Sequence, residues 1–418
     1  MSAVCLRGGR VLDPVAGTLE PRDLAFADGV VVDVDSVPGA AVIDVAGGVV
    51  APGFVDLHGA IVHAARDGQA AAAGGFTTVC ASADHPAALD RPDAVEALVA
   101  RTQRAACRVL PVGALTEGLG GRELAEIGML SAAGCVAVGQ GAAAVGSPRV
   151  LRHALEYAAR LDVTVMVRGA EPELEKDGVA LEGPRSIRLG LPGVPAVSEE
   201  IGIHRIAALA RLTGARVHIT HVWTAAGVQA LRRVKAEGAR ITASTTAMHL
   251  ALDPDATDLS PYDGHLRFVP PLGSPEDRAA LADAVKDGVI DGVASDHRPW
   301  PAYAKDGTLE EARPGSVSLD AAFSLVLHAL GGDLVSTVRA LSAGPSAVLD
   351  LPVPRLQPGE RADLVLLDPG SHTLLDRPAG AHSNTPLAGT RLDGAVVATW
   401  CAGARTFGSG AAGTGHSG

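Results

Sequence analysis

The sequence predicts a (β/α)8 barrel of the TIM type, joined to a small β-module formed from both ends of the chain. Three observations predict it. Eight short apolar runs have strand character, helical stretches with an apolar spacing of about 3.6 residues separate most of them, and both ends change to short strands punctuated by Gly and Pro. At 418 residues the chain has room for one such barrel and one appended unit.

Residues 1–50 carry strand-like segments at 3–6, 11–12, 23–27, 30–34 and 41–44 and read as the N-terminal part of the β-module. The barrel is assigned to residues 51–344. Its eight runs are 49–58, 76–82, 108–115, 135–139, 164–169, 216–222, 240–246 and 289–297, with the first beginning just ahead of the boundary. Helical spacing fills 93–104, 122–133, 148–161, 198–213, 224–237 and 275–287, and two more helical stretches, 319–330 and 333–343, follow the eighth run. Residues 345–407 return to strand character at 362–368 and 394–400, and the two ends are expected to complete one sheet. Residues 408–418 are almost wholly Gly, Ala, Ser and Thr, too poor in apolar side chains to order themselves, and are expected to form a flexible tail.

Composition excludes several function classes. The 35 Lys+Arg against 47 Asp+Glu leave a net charge of −12, which argues against nucleic acid or an anionic membrane as a partner. Aromatic residues are only 3% of the chain, which leaves little surface for stacking bases. Cys5, Cys80, Cys107, Cys135 and Cys401 form no C-x-x-C pair and read as reduced thiols in a cytoplasm, not as metal ligands. Residues 1–10 lack a basic segment leading into an apolar core, and no run of about 18 uncharged apolar residues occurs, so a cytoplasmic location is expected.

In a barrel of this kind the chemistry sits at the C-terminal ends of the strands. The first run ends in His58. The sixth holds His218 and His221, three apart; strand side chains alternate with period two, so both are not expected to face inward, and His221 at the strand end is the better candidate. The eighth ends in Asp296, a candidate general base and, with His58 and His221, a candidate metal ligand. His63, His85 and His297 lie near strand-end loops and read as surface or hydrogen-bonded residues, while Arg298 and Trp300 read as bulky groups that plug the barrel mouth. Gly74-Gly75 and Gly190-Leu191-Pro192-Gly193 read as turns, since no phosphate-loop pattern surrounds them.

Five stretches together resemble the dihydroorotases of the amidohydrolase superfamily. They are Pro52-Gly53-Phe54-Val55-Asp56-Leu57-His58, Ala72-Ala73-Gly74-Gly75-Phe76-Thr77-Thr78-Val79, Arg188-Leu189-Gly190-Leu191-Pro192-Gly193-Val194-Pro195, Val217-His218-Ile219-Thr220-His221-Val222, and the segment 287–297 ending in Ser295-Asp296-His297. Gly359-Glu360-Arg361-Ala362-Asp363-Leu364-Val365 and Asn384-Thr385-Pro386 fit the same family's closing β-module, so the resemblance covers nearly the whole chain.

The departures from that family fall at its working positions. The resemblance implies His-x-His-x-Arg after the first strand, and here His58-Gly59-Ala60-Ile61-Val62 lacks both the second imidazole and the arginine. The loop that follows is about ten residues short. The bridging carboxylate or carboxylated lysine implied at strand four has no counterpart, because residues 131–150 contain no Asp, Glu or Lys. The histidine implied at strand five is Gly169, or Arg168 with a slip of one residue, and an arginine there would repel a cation. Asp84 and Val269 stand where the resemblance implies substrate-binding asparagines.

Of the ligand positions, His58, His221 and Asp296 remain as a partial, vestigial set. A two-metal hydrolase needs its bridging carboxylate to fix the spacing of the cations, so loss of catalysis is expected, with Asp296 a relic base and no cofactor. Some bacterial members of the family are non-catalytic and associate with aspartate carbamoyltransferase. The resemblance implies such a role here: a structural or regulatory subunit in pyrimidine biosynthesis, in a hetero-oligomer and with a homo-oligomeric core. Two His and one Asp also match the ligand count of a single zinc with an open position, which leaves an active cyclic amidohydrolase with a mononuclear site as the alternative. A pyrimidine-sensing pocket without turnover is a third reading.

Overall fold

A computed structural model describes residues 3–84, 86–375 and 384–408. Eight parallel strands form the barrel: β1 (Phe54–Gly59), β2 (Phe76–Ala81), β3 (Arg108–Ala114), β4 (Ala137–Gly139), β5 (Thr164–Arg168), β6 (Val217–Thr220), β7 (Ile241–Thr246) and β8 (Gly292–Ala294). Each pairs with the next in sequence, and the ring closes where the Ala60 N–H donates to the His297 carbonyl at 2.7 Å. The strands are covered on both faces, which is why they read as continuous apolar runs. Val55, Leu57, Val112, Ala114, Ala137, Met166 and Ala294 pack together in one core cluster, while β-strand residues such as Val79, Val138, Val165 and Ile219 pack in another with the surrounding helices.

The helix Pro148–Leu161 shows how the outer ring is built. Pro148 opens it, Ser147 Oγ accepts the Val150 N–H at 3.3 Å, and Asp162 ends it in the left-handed region. Its buried residues are Leu151, Ala154, Leu155 and Ala158, spaced three and four apart so that they form one stripe against the barrel.

The expected run 49–58 is two strands. Val49–Pro52 belongs to the terminal module, and β1 begins after Gly53, where a Cβ would lie 2.4 Å from the Thr77 side chain. Only glycine lets the chain pass that close as it crosses from module to barrel.

Both ends of the chain complete one sheet. Its six strands run in the order Ala404–Phe407, Arg391–Cys401, Leu364–Leu374, Val49–Pro52, Arg10–Asp13 and Thr18–Pro21. A four-stranded sheet of Val30–Val32, Leu24–Ala27, Val4–Arg7 and Ala41–Asp44 shares a second core with it, in which Phe26 meets Trp400 edge-on at 6.1 Å between ring centroids. Of the tail, only Gly408 lies within the described residues. No helix among the described residues is long and apolar enough to cross a membrane.

Candidate metal centre at the barrel mouth

His58 lies on β1, His221 follows β6 directly, and Asp296 lies two residues beyond β8. One ligand atom from each comes within 4.8 Å of the others, and their exposures are 7%, 1% and 6%. His221 and Asp296 have φ of +55° and +50°, a left-handed conformation that costs a non-glycine residue on the order of 1 kcal/mol or more. The surrounding bonds hold them there. Asp56 Oδ1 accepts the backbone N–H groups of Ser295 at 2.8 Å and His58 at 3.3 Å, tying β1 to the segment after β8. Behind His221, the Glu199 carboxyl group accepts the N–H groups of Trp223 and Thr224, each at 2.9 Å. Burial pushes Asp56 up to about 6 and Glu199 up to about 8, so both are anchors sunk in the core.

The positive φ also explains why the alternation argument fails at His221. Strand geometry ends at Thr220, so period two no longer governs the next side chain. His218 is fully buried and satisfied, with Nδ1 2.9 Å from Thr242 Oγ1 and Nε2 2.9 Å from Ser244 Oγ.

The three candidates do not stand alone. His58 Nδ1 is 3.0 Å from Asp296 Oδ1, and His58 Nε2 is 3.1 Å from Ser82 Oγ. The Ser82 hydroxyl donates to Asp84 Oδ1. Arg298 closes the circuit: its Nε donates to Asp296 Oδ1 at 3.1 Å, and its Nη2 donates to Asp84 Oδ2 at 3.0 Å and Oδ1 at 3.2 Å. Asp84, Ser82, His58, Asp296 and Arg298 thus form a closed ring of hydrogen bonds in the barrel mouth. Burial alone would raise both carboxyl groups. Arg298, first among the opposing charges, holds Asp84 and Asp296 well below the usual carboxylate range, with help from His58 on each and from His221 on Asp296.

This arrangement does not fit the metals that the ligand pattern implies. Both His58 nitrogens are engaged, Nδ1 with Asp296 and Nε2 with Ser82, whose own hydroxyl donates to Asp84, so an ion would have to break into a hydrogen-bonded ring. The Arg298 guanidinium already supplies both carboxylates with a positive partner. Asp296 Oδ1, the oxygen nearest both histidines, already accepts from Arg298. At the end of β4 the next side chain, Gln140, is bonded to Thr116 and the Leu119 carbonyl, so it offers no bridging carboxylate to a metal pair. His221 is the exception: neither ring nitrogen has a hydrogen-bond partner, and burial pushes its pKa well below the usual histidine range.

Arg168 does not enter the ring. It is buried in a two-pronged ion pair with Glu175 and donates from Nε to the Ala142 carbonyl at 2.9 Å, so its charge is absorbed beside β5. His297 Nδ1 accepts the Ser318 N–H at 3.1 Å, and the His63 N–H donates to Asp67 at 2.8 Å beside the start of the helix Ala64–Ala73. His85 lies outside the described residues. Burial pushes the Cys107 and Cys135 thiols up to about 12, as expected of packed thiols and not of metal ligands.

Arg298 and Asp84 are the functional pair that sequence reasoning passed over. Arg298 read only as bulk and Asp84 only as a replacement for a substrate-binding asparagine. The available signal was their opposite charge in the loops after the two strands that flank β1. Gly141, with φ +62°, admits the contact: a Cβ there would fall 2.2 Å from Asp84 Cγ, and the next N–H, of Ala142, donates to Asp84 Oδ2 at 2.9 Å. Asp84 therefore reaches the end of β4 from the loop after β2.

The Dihydro-orotase-like family matches residues 47–226. A dihydroorotase of Anaeromyxobacter dehalogenans is 38% identical over 416 residues, covering 94% of this chain and 95% of the relative. A dihydroorotase-like protein of Pseudomonas aeruginosa is 35% identical over 411 residues, covering 94% and 96%. Among solved structures, an L-hydantoinase (dihydropyrimidinase) from Arthrobacter aurescens superposes with a TM-score of 0.85 at 23% identity over 98% of this chain and 97% of its own. A dihydropyrimidinase from Brevibacillus agri gives 0.80 at 18% identity, over 96% and 94%. At such identities the two structures speak to the barrel fold alone.

Proposed function

Because the chain belongs to the dihydroorotase-like family yet fills its metal site with a hydrogen-bonded ring of side chains closed by Arg298, we propose that it is a non-catalytic member of that family. It acts in pyrimidine biosynthesis as a structural or regulatory subunit for aspartate carbamoyltransferase and keeps its own homo-oligomeric contacts. The observation that carries this reading is the ring itself. Arg298 supplies the positive charge between Asp84 and Asp296, it sits on the Asp296 oxygen that faces both histidines, and both His58 nitrogens are engaged within the ring. Without a metal there is no activated water and no polarised carbonyl, so the reaction of the family's enzymes has no agent here. An intact barrel and module around a disabled centre is what a subunit kept for its shape retains.

Co-expression with the aspartate carbamoyltransferase of the same organism tests the partner. The expected result is one complex on gel filtration and a transcarbamoylase that loses assembly or activity when this chain is withheld. Separate elution with full transcarbamoylase activity would refute the role. One observation favours a second reading, an active hydrolase with a single zinc: His221 offers two unpartnered ring nitrogens beside Asp296. That reading requires stoichiometric zinc in the purified chain and ring closure of carbamoyl aspartate.

A further inference from the structure

We propose that Arg298 is the resident cation of this barrel, and that its guanidinium covers a latent one-metal site formed by His58, His221 and Asp296. The geometry centres on one atom. Asp296 Oδ1 lies 3.0 Å from His58 Nδ1, 3.9 Å from His221 Nε2 and 3.1 Å from Arg298 Nε, so the oxygen at which the three donors converge is the one the guanidinium occupies. Arg298 is held there from two sides. Its backbone N–H donates to Ser316 O at 2.8 Å and its carbonyl accepts from Asn384 Nδ2 at 2.8 Å, while Asp84 takes the outer edge of the guanidinium. Gly315, at φ +101°, lies against its aliphatic stem, where a Cβ would come within 2.7 Å of Arg298 Cδ.

The remaining donors need no rebuilding. His221 is 1% exposed, its ring nitrogens have no partners, and its backbone already holds the left-handed conformation that sets it beside Asp296. Removal of Arg298 breaks the ring and frees Asp296 Oδ1 from the guanidinium. Neutralising Asp84 as well leaves Asp296 as the one carboxylate of the former ring. The result is two imidazoles and a carboxylate around one point, the ligand count of a single tetrahedral ion with an open position.

The test is a Co2+ titration of the full chain, read by bound metal after dialysis and by the visible absorption of tetrahedral Co2+. Wild type, Arg298→Met and Arg298→Met/Asp84→Asn are compared, with folding of each checked by circular dichroism. The double variant keeps the buried charge balanced if the single variant does not fold. The double variant is expected to bind one Co2+ per chain with a gain of at least about 10-fold over wild type, because Asp296 Oδ1 is vacated while the loss of the Asp84 charge offsets most of the charge removed with the guanidinium. Adding His221→Ala is expected to abolish the signal. A folded double variant that binds no better than wild type would overturn the proposal, as would tight tetrahedral Co2+ in wild type. The inference rests on the metal-free reading above, but the two fail differently: stoichiometric metal in wild type sinks both, whereas a metal-free wild type with no gain in the variants sinks only this one.

Discussion

Replacing Arg298 by methionine keeps an apolar stem of similar length beside Gly315 and deletes the guanidinium. Three charge-assisted hydrogen bonds go with it, at 3.1 Å to Asp296 and at 3.0 and 3.2 Å to Asp84. Asp84 and Asp296 then stay buried without their main counter-charge. Removing one partner of a buried ion pair costs about 3–5 kcal/mol. The lower end applies here, because Asp84 keeps the Ser82 hydroxyl and the Ala142 N–H, and Asp296 keeps His58. We expect a loss of about 3 kcal/mol in urea unfolding, monitored by tryptophan fluorescence and circular dichroism. Asp84→Asn in the same background should restore part of that loss, with a coupling of about 1–3 kcal/mol across the double-mutant cycle. An Arg298→Met protein within about 0.5 kcal/mol of wild type, additive with Asp84→Asn, would show that the ring holds nothing and refute the reasoning.

The other predictions concern elements that position the ring. Burial works to raise Asp67, but the His297 ring and the His63 N–H bring it down to about 2. Its folded pKa lies below its unfolded one, so its contribution is present above about 3.9, fades as the pH falls through 2, and amounts to about 2 kcal/mol; Asp67→Asn should flatten the acid limb of a urea-midpoint profile between pH 5 and pH 2.5 by that amount. Gly344→Ala would put a Cβ 1.7 Å from the Asp291 carbonyl just before β8, and a loss of at least about 3 kcal/mol, or failure to accumulate as soluble protein, is expected. Of the five thiols, four are buried and Cys401 is half-buried, so native protein treated briefly with an alkylating reagent should gain at most one adduct by mass, and urea-unfolded protein five.

Much of the barrel was legible because its signals are local. A parallel strand covered on both faces must be apolar throughout, and each helix must present a stripe, so seven of the eight runs map onto single barrel strands with frayed ends. The eighth case, the run 49–58, was misread as one strand because apolar character continues across Gly53, and only the approach of Thr77 forces the break. The edge strands Thr18–Pro21 and Ala404–Phe407 lie outside the expected segments, since neither holds a buried residue or an apolar run. The expected helix 333–343 is a short α-helix, Leu334–Val338, followed by a wider turn, Arg339–Ala343, a change that apolar spacing does not register.

At the site, strand-end position alone identified His58, His221 and Asp296, and the structure brings them together. What position does not reveal is who else reaches them. Asp84 arrives from a loop after β2 and Arg298 from a loop after β8, and their pairing depends on Gly141 lacking a side chain. Partnerships between loops distant in sequence have no periodicity to read. The absence of a bridging carboxylate on β4 was readable, whereas the presence of Asp84 beside it was not.

The central claim is that self-paired side chains have taken the place of catalytic cations, and it meets its most direct test in the purified chain incubated with Zn2+, dialysed, and then assayed both for bound metal and for ring closure of carbamoyl aspartate. The account predicts zinc well below one equivalent and no turnover above the buffer blank. Two zinc ions per chain, or ring closure by this polypeptide alone, would contradict it.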